Sequence, residues 1–129
     1  MESILQENKT AMLRIKERFL QNYKGFYETF KLPITFLVIT AILDAFSTFC
    51  FMYVLGVEQE LHPIVRNLSE FMGPIVGPFL GGALKIFFGL AAIIYIRRFE
   101  KSLIWAASLL YAYAFMHNLS VSGAFNILL

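Results

Sequence analysis

The sequence predicts an all-α integral membrane protein, with three transmembrane helices behind an N-terminal amphipathic interfacial helix. Two observations carry this. The 129-residue chain is 58% hydrophobic and only 16% charged, whereas soluble domains carry roughly 45–50% apolar and about 25% charged residues. The charges are also confined to blocks separated by long apolar runs. The same numbers exclude a disordered chain. The single cysteine, Cys50, excludes an internal disulfide framework. A net charge of +2 is too small for a nucleic-acid footprint, so no nucleic-acid partner is expected.

Residues 1–32 come first. They hold Lys9, Arg14, Lys16, Arg18, Lys24 and Lys31 against Glu2, Glu7, Glu17 and Glu28. Met12, Ile15, Phe19, Tyr23, Phe26 and Phe30 recur at three and four, which predicts a helical apolar stripe. It reads as an amphipathic helix on the cytoplasmic membrane surface, or one packed on a partner subunit. The segment is too charged, and the next apolar run too long, for a cleavable signal peptide.

Residues 33–129 form the transmembrane domain. Spans are predicted over about 33–55, 74–96 and 102–128, each long enough to cross a hydrocarbon core of ~30 Å. Pro33 and Pro74 would occupy first turns. Residues 56–73 read as an external loop, with Glu58, Glu60 and Glu70 against Arg66, and 97–101 as a basic turn with Arg97, Arg98 and Lys101 against Glu100. The positive-inside rule then puts the N-terminus and residues 97–101 in the cytoplasm, and the loop and C-terminus outside. The expected location is the cell membrane, multi-pass, in contact with lipid.

Two charges fall inside the spans. Asp44 lies eleven residues into the first span and Lys85 eleven into the second, about 16 Å of rise in each case. The helices are antiparallel, so both reach the same depth. A direct or water-bridged pair would lower the cost of burying either. The pair reads as a register-fixing contact, or as a site for an ion, a proton or a polar ligand. Thr40, Asp44, Ser47 and Thr48 share one face, and Ser108, Tyr111, Asn118 and Ser122 share another. Gly77, Gly81, Lys85 and Gly89 are spaced by four, a stripe that lets helices approach closely.

Glu60, His62 and His117 form a candidate external metal set, since carboxylate and imidazole suit a divalent metal: zinc, copper or iron. Their spacing matches no diagnostic motif. Trp105, Tyr111 and Tyr113 suit belt or packing positions. No nucleophile–base arrangement and no phosphate-cradling glycine loop is present.

In order, Asp44-Ala-Phe-Ser47-Thr48, Gly56-Val-Glu58, Glu60-Leu-His62-Pro63, Lys85 and Asn118 resemble an uncharacterised family of short prokaryotic membrane proteins. That family is a domain of unknown function with about three helices. Its pattern has Asp before Ser/Thr-Thr in the first helix, Glu-x-Asn-Pro after it, and Lys in the second. The resemblance covers about residues 36–120. It implies a shared polar cluster and carries over to Asp44, Thr48, Glu60, Pro63 and Lys85, with His62 where the pattern has Asn.

Three functions follow as expectations. The first is a non-catalytic accessory or scaffold subunit among other integral membrane chains. The second is an ion- or small-solute-binding or transport module built on Asp44 and Lys85. The third is a metal-dependent membrane enzyme.

Overall fold

The computed structural model describes residues 2–123. All its regular elements are helical: α1 (Glu2–Tyr23), α2 (Phe26–Leu55), a 3-10 turn (Val57–Gln59), α3 (Pro63–Met72), α4 (Val76–Ile96) and α5 (Glu100–Val121). Two of these, α2 and α4, are long and apolar enough to cross a membrane. Helix α5 has the length, but Ser108, Tyr111, Tyr113, His117 and Asn118 dilute its apolar content. The last part of the predicted third span, 124–128, lies outside the described residues.

The N-terminal stripe is divided between two helices. Helix α1 ends at Tyr23, and Gly25, with φ of +78°, opens α2. Phe26 and Phe30 therefore belong to α2. Their rings pack at 4.9 Å, and Phe26 joins Leu37, Ile94 and Ile104 in the apolar core. Pro33 is not in a first turn. It lies inside α2, and the backbone leaves helical geometry at Phe30 (φ −114°, ψ 19°). Proline has no N–H to donate and its ring crowds the preceding turn, so a kink is expected there.

The segment 56–73 is not an open loop. Pro63 occupies the first turn of α3, and Gly73, with φ of +91°, ends the helix. Helix α3 lies against the start of α4, where it buries Val65 and Ser69. The glycines of α4 make this contact. A Cβ on Gly77 would stand 2.6 Å from the Ser69 backbone nitrogen, and one on Gly81 would stand 2.9 Å from Val65 Cγ2. Gly89 would meet nothing within 4 Å. The stripe of small residues thus serves α3 at its first two positions, and no neighbour at Gly89.

Helices α2 and α5 share the largest interface and run parallel. Phe36 meets Trp105 at 5.3 Å, and Thr48 meets Asn118 twelve to thirteen residues further along both. Ser47 and Ser108 are fully buried. Each hydroxyl donates within its own helix, Ser47 to the Asp44 carbonyl (2.9 Å) and Ser108 to the Ile104 carbonyl (2.8 Å). A small side chain satisfied in this way lets two backbones approach without an orphaned polar atom.

The bundle has two unlike ends. The apolar core closes the end near the α1–α2 junction. The other end is polar.

Candidate functional site: a polar cavity among four elements

Helices α2, α4, α5 and the segment between α2 and α3 supply the polar groups of a cavity of about 190 Å³, and α3 adds an apolar wall; it has room for about six waters. Its polar lining is Asp44 and Thr48 from α2, Glu60 and His62 from the connecting segment, Lys85 from α4 and Asn118 from α5. Apolar walls come from Val65, Pro78 and Ala114, among others.

Asp44 is 8% exposed. The charges that act on it are the attraction of Lys85 and the repulsion of Glu60. Among the described residues no hydrogen bond reaches its carboxylate, and ion pairs within 4.0 Å are confined to Arg66–Glu70 and Arg97–Glu100. The direct Asp44–Lys85 contact is therefore absent: the two groups share the cavity without closing on each other. Lys85 instead places Nζ 5.5 Å from the centre of the Tyr111 ring, within cation–π range.

The remaining polar groups are fixed by the frame. Asn118 Nδ2 donates to Thr48 Oγ1 at 3.0 Å and more weakly to Ser47 Oγ at 3.4 Å, which joins α5 to α2 beside Asp44. Glu60 Oε1 accepts from the His62 backbone N–H at 2.9 Å. That bond curls the segment back so that both side chains reach the cavity. His62 Nδ1 is buried and unpartnered.

His117 does not join this group. Its ring is exposed and sits 6.1 Å from Tyr113 on the same helix. Among the described residues no three His, Cys, Asp or Glu side chains are placed to hold a metal ion. Cys50 is half-buried and unpaired. Trp105 packs on Phe36.

Sequence reasoning missed α3, and with it Val65 and the fold-back of Glu60 and His62. The signals were present: a proline at a helix start, Arg66 and Glu70 four apart, and a glycine after the last turn.

No family model, curated protein or solved structure matches this chain. The family resemblance rests on its short motifs alone.

Proposed function

We propose that this is a multi-pass membrane protein of the cell membrane that binds a small, singly positive polar solute in the Asp44–Lys85 cavity. Exposed apolar surface supports the membrane part. In the most apolar window of α4 only 17% of residues are buried, whereas a core helix of a soluble protein is mostly covered. Phe87 and Phe88 are each 66% exposed. Water-soluble monomers rarely leave such faces open. Helix α5 is the third span in this reading, since it returns alongside α2 after a three-residue turn. The basic residues of 1–32 and 97–101 put the N-terminus in the cytoplasm and the cavity toward the outer side.

The observation that carries the binding reading is Asp44, a buried carboxylate without a partner that faces an open cavity. Asp44 and Glu60 supply two negative charges and Lys85 one positive charge, so a monovalent cation balances the set with His62 neutral. An uncompensated buried charge is costly, and a bound cation removes that cost.

The test is calorimetric titration of the detergent-purified chain with methylammonium, sodium and acetate. One or both cations should bind, acetate should not, and Asp44→Asn should weaken cation binding at least tenfold. Absence of cation binding, or binding indifferent to Asp44→Asn, overturns the reading.

A second reading, an accessory subunit among other membrane chains, draws support from α1. Its Met12 is 75% exposed and its Ile15 52%, apolar positions that none of the described residues covers. Stoichiometric partner chains after mild detergent extraction would support it, and a lone chain would remove it.

A further inference from the structure

The end of the bundle opposite the polar cavity carries a second site. A pocket of about 380 Å³ lies between the α1–α2 junction and the α4–α5 turn, lined by Asn22, Lys24, Thr29, Arg97 and Glu100 among others. Its size falls within the ~300–1,000 Å³ of small-molecule sites.

Its chemistry is cationic. Lys24 has no ion-pair partner among the described residues. Among the described residues the Arg97 guanidinium makes two contacts, both long, Nη1 to Asn22 Oδ1 at 3.5 Å and Nε to Glu100 at 4.0 Å. Most of its donors stay free. Arg18, held over Tyr95 at 5.0 Å, and Arg98, over Phe99 at 5.0 Å, add positive charge at the same junction. Glu100 is the single acid in the lining.

The position is built rather than incidental. Arg97 and Phe99 both take positive φ, +48° and +58°, a conformation that non-glycine residues adopt at a cost. The turn they form puts Arg97 against α1. Asn22 fixes the other wall, donating Nδ2 to the Ile94 carbonyl at 2.9 Å and the Tyr95 carbonyl at 3.3 Å. Those carbonyls end α4, where its apolar run stops. In a membrane the pocket would stand at headgroup depth.

We infer that this pocket binds a phosphate ester, namely the headgroup phosphate of an anionic lipid. A fork of arginine donors beside a free ammonium suits phosphate oxygens, and basic pockets at the cytoplasmic edge of helix bundles suit anionic headgroups. The lipid source, though not the phosphate chemistry, rests on the membrane reading above.

The experiment uses the delipidated full chain in neutral detergent, titrated with dioctanoyl phosphatidylglycerol, dioctanoyl phosphatidylcholine and inorganic phosphate, with adducts counted by native mass spectrometry. Phosphatidylglycerol should bind with a dissociation constant at least tenfold below that of the other two. The double variant Lys24→Gln/Arg97→Gln should lose that preference, while Lys9→Gln/Lys16→Gln, which removes equal charge from α1 outside the pocket, should keep it. Lys24 is exposed, so Lys24→Gln alone reads the site if the double variant aggregates. Equal loss in both double variants, or equal binding of the two lipids, overturns the inference. Inorganic phosphate binding as tightly as phosphatidylglycerol, and lost in the pocket variant only, overturns the lipid source and supports a soluble phosphate ester. Separately, recovery of the protein in the soluble fraction of lysed cells would overturn the membrane reading without bearing on the phosphate arm.

Discussion

Lys85 Nζ stands 5.5 Å from the centre of the Tyr111 ring, so the ammonium is drawn toward α5 and not onto the Asp44 carboxylate. Three helices therefore contribute one group each: acid from α2, base from α4 and ring from α5. The gap between acid and base is the space that a solute would take.

Tyr111→Phe keeps the ring face and should change stability by no more than ~0.5 kcal/mol. Tyr111→Leu removes it and should cost about 0.5–2 kcal/mol, the usual worth of a cation–π contact. Unfolding in mixed detergent micelles separates the two. Equal effects would mean that the ring holds Lys85 by packing only.

Asp44→Asn tests how the acid and base are related. Removing one partner of a closed buried pair costs ~3–5 kcal/mol. Here no closed pair forms, and the change removes a buried charge of similar shape. The same unfolding assay should show unchanged or raised stability. A loss of several kcal/mol would show that Asp44 and Lys85 close on each other in the folded protein.

Gly77→Ala places a methyl against the Ser69 backbone and should cost about 1–3 kcal/mol, as overpacking does. Gly89→Ala meets open space and should be neutral or stabilising by about 0.5–1 kcal/mol, since glycine weakens a helix interior. Proteolysis between α2 and α4 gives an independent reading. Only the Gly77 variant should expose 56–73 to cleavage.

Asn118 and Thr48 form the polar tie between α5 and α2. A double-mutant cycle with Asn118→Ala and Thr48→Val should give a coupling of about 0.6 kcal/mol, and less than ~2 kcal/mol. A coupling near zero would show that the two helices are held by apolar packing alone.

Much of the polar cavity was legible because helical spacing is rigid. Asp44 and Thr48 fall four apart on one face, and Tyr111 and Asn118 seven apart on another, so each pair had to project together. His117 shows the same rule from the other side. It is one residue from Asn118, about 100° round the helix, and it faces out while its neighbour faces in. Glu60 and His62 were legible as residue types but not as neighbours of Asp44, because the bond that folds them inward lies within an irregular segment. The Pro33 kink was hidden by the length of the apolar run, which masked where α2 begins. The phosphate pocket joins residues about seventy positions apart, and no local pattern announces it.

Small residues on a membrane helix commonly mark where another chain can come close. In α4 two of them, Gly77 and Gly81, are already covered by α3 from the same chain. That surface is spent. Two copies of this protein cannot pair back to back through it, and self-association through α4 would have to use its exposed side, at Gly89 or the paired phenylalanines 87 and 88. The short helix α3 thus limits which faces of α4 the molecule can offer to a neighbouring chain.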